Sequence, residues 1–371
     1  MSGYERDYQD EQDNFERYKN VKSVLYYGKR NDSHVDISIV IPTYKRIEKL
    51  IQALDSAYMQ EFSGYTTEIL IVDNNPEDIS SEELHEKLKK YSAERICCYI
   101  NEKNIGSLPN LNRCIELAKG KWVSMLMDDD VLASDYAQKM CCVLAKYGDE
   151  DSTFIIRGGM DYLRNNEIIQ RKSLLSRWFY KHNDKGVIKY DARFLDYMGP
   201  CYVGMIGQPT CGTIINRNLF IKHGGYDTDH AGMEDAIYPD RMVSIHDYNV
   251  YVSTGIMGYC RVEDSASYSK QVFYSWANDY VDYEKFFCKR SKSAASVYKK
   301  YSNEMREVFL QEIVKHISDS SYGNDEKQKY IEDINSIMKN HHSKLKLSVF
   351  RKTRILAMRR KQIKALMMSL A

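Results

Sequence analysis

The chain has 371 residues, with 53 Lys+Arg against 52 Asp+Glu, 43% apolar residues and 12% aromatics. A net charge of +1 excludes a generally basic nucleic-acid binder, and the apolar content excludes a disordered chain. With 6 Pro and 19 Gly it is no collagen-like polymer, and its length predicts one large or two medium domains around a substantial core.

The first 30 residues are charged and lack the apolar centre of a signal peptide. No apolar run approaches the roughly 18 to 20 residues of a membrane-spanning helix. Both features predict a soluble cytoplasmic protein. Nine cysteines without CxxC or Cys/His zinc spacing predict reduced, mostly buried thiols. All six prolines fall at or before Pro239, and after Gly258 the only glycine is Gly323. A stretch so poor in both breakers reads as helical. The expected division is a polar lead over 1–35, a mixed body over 36–268 and a helical region over 269–371.

Within the body, apolar β-branched runs alternate with helical stretches. Ile37 to Ile41 reads as a strand stopping at Pro42, and Ile47 to Met59 has helix periodicity. Glu68 to Val72 is the second strand, ending at Asp73-Asn-Asn-Pro76. A polar helix over 81–91, a strand over 96–100 and a helix over 109–118 follow. A fourth strand, Trp122 to Met127, runs into Asp128-Asp129-Asp130. Buried strands separated by helices predict an α/β fold with a mainly parallel sheet, and ligands of such sheets sit at the carboxyl ends of the strands. Four polar clusters lie at such ends: 43–46, 73–75, 101–104 and 128–130.

Three consecutive carboxylates after a buried strand repel one another unless a cation neutralises them. In extended chain Asp128 and Asp130 point the same way, which suits Mg²⁺ or Mn²⁺ held by carboxylates and a nucleotide diphosphate; the alternative is a solvated acidic turn. Asp73 could accept hydrogen bonds from a base or ribose, or simply cap a turn before Pro76. Asn104 to Arg113 places Gly106 before a helix start, an approach open to a diphosphate or a plain helix entry. A second acidic site, Glu234-Asp235, follows the glycine-bounded stretch 224–232 and precedes Arg241 by seven residues from Glu234. Such a carboxylate at a loop-to-helix junction is either an N-cap or a general base.

Taken in order, Pro-Thr-Tyr-x-Arg (42–46), Asp-Asn-Asn (73–75), Asn-x-Gly…Asn…Arg (104–113), Asp-Asp-Asp (128–130) and Gly-Gly-Tyr-Asp…Glu-Asp…Arg (224–241) resemble the family 2 glycosyltransferases with the GT-A nucleotide-sugar-binding fold. The resemblance covers about 36–268. It implies an inverting transfer from a nucleotide sugar, a UDP-sugar first among the candidates, to a glycan or lipid-linked oligosaccharide acceptor. Pro42, Thr43, Tyr44 and Arg46 would line the nucleotide pocket, with Asp73 near the base and Asn104, Gly106, Arg113 and Asp129 around the donor. Asp128 and Asp130 would hold Mn²⁺ or Mg²⁺. Asp235 would be the catalytic base, with Glu234 and Arg241 shaping its position and charge.

Two departures stand out. Ile237-Tyr-Pro239 replaces an expected second acid and puts the helix after Glu234 in doubt. Glu263 stands where an Arg-x-His would supply a further metal ligand, with His246 a weak substitute. The processive Gln-x-x-Arg-Trp motif is missing, which favours one sugar per encounter. A sugar-phosphate nucleotidyltransferase would need a Gly-rich loop where 41–46 stands, and a non-catalytic relative would have lost the acidic motifs. From Lys339 to Lys364 basic and apolar residues interleave with no acid, predicting contact of 340–371 with an anionic membrane or a partner. The aromatics of 160–210, Trp178, Phe179, Tyr180, Tyr190, Phe194, Tyr197 and Tyr202, suit sugar stacking or a core equally.

Overall fold

The computed structural model describes residues 12–30, 33–169, 187–190, 211–229, 232–261 and 268–340. Its centre is one sheet built on four parallel strands, β2 (Ile37–Thr43), β3 (Thr67–Asp73), β4 (Ile96–Asn101) and β5 (Trp122–Met125). These are the four strands expected from the sequence. Every residue of β2, β4 and β5 is buried, as strands covered on both faces require.

Alternation along β2 assigns the faces. Ile37, Ile39 and Ile41 join a core with α1 (Ile47–Tyr58) and α4 (Tyr136–Tyr147). Val40 turns to the opposite core, which contains Leu108, Leu111 and Ile115 of α3 (Ser107–Leu117). The short α2 (Glu82–Leu88) buries Leu84 and Leu88 against the first of these cores.

Beyond β5 the sheet continues with β10 (Thr213–Asn216), β7 (Thr153–Arg164), β11 (Asn249–Arg261) and the short β6 (Val131–Leu132); β8 (Glu167–Ile169) and β9 (Val187–Tyr190) pair at the side. Most of these pairings are antiparallel, with β7 and β11 parallel. At the other edge, β1 (Ser23–Gly28) pairs antiparallel with β4, so part of the polar lead is a strand of the sheet.

After β10 come α5 (Arg217–Lys222) and α6 (Glu234–His246), whose Tyr238, Met242 and Val243 enter the α3-side core. The helical region holds α7 (Lys270–Arg290), α8 (Lys292–Asp319) and α9 (Asn324–Asn340). Ser269 and Ser291 cap α7 and α8 through their side chains. These helices form a third core that takes in Met233 and Ile237, so they pack directly on the start of α6. Among the described residues no helix is long and apolar enough to cross a membrane. Eight cysteines are described and all are free thiols. Glu263, residues 341–371 of the basic tail, and Trp178, Phe179, Tyr180, Phe194, Tyr197 and Tyr202 lie outside the described residues.

Candidate active site

Parallel register brings the first acidic group together. Thr43 stands beside Asp73 across the β2–β3 pair, and Val40 beside Met125 across β2–β5, so Asp73 and Asp128 rise from the same end of the sheet. The Thr43 hydroxyl donates to Asp128 Oδ2 at 2.8 Å. Arg46 Nη1 lies 3.0 Å from Asp129 Oδ2 and 3.4 Å from Asp128 Oδ1. Asp130 Oδ1 accepts the Arg261 backbone N–H at 3.1 Å, and Arg261 Nε donates to the Asp129 carbonyl at 3.1 Å.

Burial is the first cause of unusual acidity here. It raises the Asp128 carboxyl above its ordinary range, and Asp129 adds to the rise while Arg46 opposes it. Asp130, more deeply buried and beside Asp129, is pushed up to about 8. Asp73 also reaches about 8, through burial and then the neighbouring Asp78 and Asp128. Four carboxylates accompanied by two guanidiniums, Arg46 and Arg261, carry an excess of two negative charges when ionised. A hard divalent cation with oxygen ligands matches that excess, so Asp128 and Asp130 fit the metal role. Among the described residues no three His, Cys, Asp or Glu side chains converge as a complete metal centre. Two protein carboxylates completed by diphosphate oxygens is the arrangement this donor set permits.

Around this group, Pro42 is buried while Tyr44 is 42% exposed, with the Lys45 ammonium 5.6 Å from its ring centre. An asparagine network fixes the adjoining loops. Asn74 Nδ2 donates to Asn104 Oδ1 at 2.9 Å and to the Gly106 carbonyl at 3.1 Å, and Asn101 Nδ2 donates to Asn74 and Asn110. Gly106 has φ +94°, so the entry to α3 needs glycine. Asn104 and Gly106 remain exposed at the strand ends. Arg113 does not. Its guanidinium donates to the carbonyls of Tyr18 and Val21 and to Ser23 Oγ, and pairs with Glu116. The expected diphosphate contact is therefore corrected: Arg113 points down the helix and ties the N-terminal lead to the sheet.

The second acidic group begins at the turn of Gly224 and Gly225, with φ +76° and +72°. A Cβ on Gly224 would fall 2.0 Å from the Gln12 carbonyl, because the lead crosses this turn. The helix put in doubt by Pro239 does form. Proline removes one N–H from the helix ladder and so leaves the carbonyl four residues earlier, that of Asp235, without its helical donor. Arg157 Nη2, from β7, donates to that carbonyl at 2.9 Å. Glu234 is buried, accepting the Asp227 N–H at 2.9 Å and pairing with Arg241 at 3.2 Å, whereas Asp235 is half-buried. Arg241 was expected to steady Asp235; its observed ion pair is with Glu234. His246 closes the far end of α6, about 18 Å along the helix from Glu234 at 1.5 Å per residue, and stacks on His223.

Register also relates the two groups. Ser124 of β5 lies opposite Ile214 of β10, which lies opposite Ile156 of β7, so Arg157 sits two strands from β5, roughly 10 Å across the sheet. β7 runs in the direction of β5, and its carboxyl end shares the side that carries 128–130. Arg157 and Asp279 escaped the sequence reading. The signal for Arg157 was there, a single charge inside the apolar run Phe154-Ile-Ile-Arg-Gly-Gly.

Residues 38–201 match the family model described as Glycosyl transferase family 2. The amylovoran biosynthesis glycosyltransferase AmsB of Erwinia amylovora is 26% identical over 201 residues, which is 52% of this chain and 62% of that protein. The chain thus spans under two thirds of that relative's length. The crystal structure of S. aureus TarS 1–349 in complex with UDP-GlcNAc aligns with TM-score 0.52 at 14% identity, covering 89% of each chain. Mannosyltransferase PcManGT from Pyrobaculum calidifontis, in complex with GDP-Man and Mn2+, aligns with TM-score 0.51 at 13% identity, covering 96% of this chain and 92% of that one. At such identities these likenesses speak for the fold, the GT-A arrangement expected from the ordered motifs. The strand-end acids, the matched segment and the fold thus agree in their likeness to glycosyl transferase family 2 over residues 38–201.

Proposed function

We propose that this protein moves one sugar at a time from a nucleotide-sugar donor to a hydroxyl of a glycan acceptor, with inversion at the anomeric carbon. The observation that carries the reading is the unequal state of two acidic groups. Asp128 and Asp130 are buried acids crowded by Asp129, whose carboxyls burial and repulsion push up, while Asp235 is half-exposed beside a Glu234 already neutralised by Arg241.

Single displacement needs a base on one face of the sugar and a stabilised leaving group on the other. Asp235, ionised, takes the proton of the attacking hydroxyl. Arg46 offers a positive charge at the donor side, and Pro42, Thr43 and Tyr44 shape the nucleotide pocket with Asp73 at the base. Asp128 and Asp130 would hold Mn²⁺ or Mg²⁺, which when bound stabilises the departing diphosphate. The GDP-Man and Mn2+ complex of a protein with the same fold supports this class of donor and metal. A relative named for amylovoran biosynthesis supports a polysaccharide as the product, and a lipid-linked oligosaccharide is the acceptor we propose for it.

Asp130→Ala is expected to abolish the Mn²⁺-dependent thermal stabilisation given by UDP- or GDP-sugars. Asp235→Asn is expected to keep that stabilisation and lose transfer by at least about 100-fold, the usual contribution of a general base. An Asp235→Asn protein that transfers sugar normally would refute the base. The tail provides a separate check on location. Deleting 340–371 is expected to move the protein off anionic phospholipid vesicles, and equal partitioning of both forms would remove the membrane from the proposal.

A further inference from the structure

We infer that Arg157 is a positioning residue for the Glu234–Asp235 pair, gripping the main-chain carbonyl of Asp235 that Pro239 leaves open and keeping a fixed positive charge behind the Asp235 carboxylate. The inference rests on Asp235 being the base.

Three observations meet at this point. Pro239 occupies the fifth position after Glu234 inside α6, where its missing N–H would have bonded the Asp235 carbonyl. Arg157 supplies a replacement donor at 2.9 Å, and it comes from the middle of the sheet, 3% exposed, where burying a guanidinium is costly unless it is matched. The two acids are also divided between two cations: Glu234 takes Arg241, and the Asp235 main chain takes Arg157. The buried Tyr226 hydroxyl lies in the field of Asp235, Arg157 and Glu234 together, so the three are gathered around one ring.

Among the described residues, the charged and titratable groups gathered near this point include Glu234, Tyr238, Asp240 and Arg241 of α6, Tyr226 and Asp227 of the preceding loop, Arg157 of β7 and Asp279 of α7. Asp240 pairs with Arg290 at 2.7 Å, and Asp279 accepts the N–H groups of Gly232 and Met233. Arg157 contacts Asp235 itself, through its carbonyl. An ordinary helix would close that carbonyl with its own N–H and carry no charge there. Proline exchanges a neutral donor for a charged one at the residue whose side chain must stay ionised to accept a proton.

The test uses the full chain labelled with [4-¹³C]aspartate, the Asp235 carboxyl resonance being identified by its loss in Asp235→Asn. Arg157→Gln is expected to raise the Asp235 titration midpoint by about one pH unit, since removing a nearby cation disfavours the carboxylate. Arg157→Lys, which keeps the charge, is expected to restore most of the native midpoint. In parallel, nucleoside diphosphate release from UDP-N-acetylglucosamine, UDP-glucose and GDP-mannose with Mn²⁺ gives the pH profile. There Arg157→Gln is expected to move the acidic limb up equally and to lower kcat about tenfold at pH values well below the native midpoint, with KM for the donor within about twofold. Pro239→Ala, which leaves Arg157 in place but returns a competing N–H, is expected to shift the midpoint the same way by less, and it covers the case in which Arg157→Gln folds poorly. An unchanged Asp235 midpoint in the folded variants overturns the inference while leaving the base in place. An active Asp235→Asn protein overturns the base itself, whatever the midpoints.

Discussion

Asp73 shows how one strand end can serve both fold and site. Its carboxyl is 1% exposed, accepts the Asn75 N–H at 2.9 Å and sits near Asp78 and Asp128. Burial and these neighbours push it up to about 8, from 3.8. The native state therefore holds a proton between about pH 4 and pH 8 that the unfolded chain has released. A raised native value means the stabilisation is complete below the unfolded value and is lost as pH rises through about 8, at up to about 1.4 kcal/mol per pH unit. Asp73→Asn keeps an oxygen for Asn75 but has no proton to lose. Urea midpoints from pH 5 to pH 8.5 are expected to fall less steeply with pH in this variant than in the native chain; parallel curves would show that Asp73 is ionised throughout. The residues at this end were legible because four strands expose their polar termini together. Arg113 was misjudged because spacing along a helix does not tell which way a long side chain turns, and its partners come from about 90 residues away in the lead.

At the scale of elements, α6 is the part least expected from its own sequence. An internal proline costs an isolated helix about 3 kcal/mol, and the sequence alone has nothing nearby to offset it. Beyond the local contacts of Glu234, its supports come from far along the chain. Asp279 Oδ2 on α7 accepts the N–H groups of Gly232 and Met233 at 3.1 and 3.2 Å, satisfying donors at the helix entry. Asp240, one residue past the proline, is held by Arg290 at 2.7 Å and by the Tyr283 hydroxyl, with both charged side chains at most 4% exposed. Removing one partner of such a pair strands a buried charge, at a cost of about 3–5 kcal/mol. Arg290→Ala is expected to lower unfolding stability by that order in urea titrations, and adding Asp240→Asn is expected to recover most of the loss. Additive losses in the double variant would mean that the two side chains act independently. Local propensity made α6 doubtful, and tertiary hydrogen bonds decide it.

Across the whole molecule, the four parallel strands and the helical end could be read from periodicity and from the run without Pro or Gly. The long β7–β11 pairing could not, because its register joins residues roughly a hundred apart and leaves no local mark. Nor could the union of the two parts. The division at 268 marks a change of composition, yet Met233 and Ile237, on either side of the Glu234–Asp235 pair, are buried in a core built by Phe273, Ala277, Tyr280 and Phe287 of α7. Each apolar side chain returned to water costs about 1.5–3 kcal/mol, and cutting the chain after 268 would uncover these two and remove Asp279 and Arg290 together. The sum exceeds a large share of the 5–15 kcal/mol by which a native domain is held. A 1–268 fragment is therefore expected to lose cooperative unfolding and donor-dependent stabilisation at once, although it keeps every residue assigned to the nucleotide and metal. If instead calorimetry of the fragment showed the native midpoint, the helices would be an independent appendage. The first turn of α6, which bears Asp235, would then have to be held by the sheet and the lead alone.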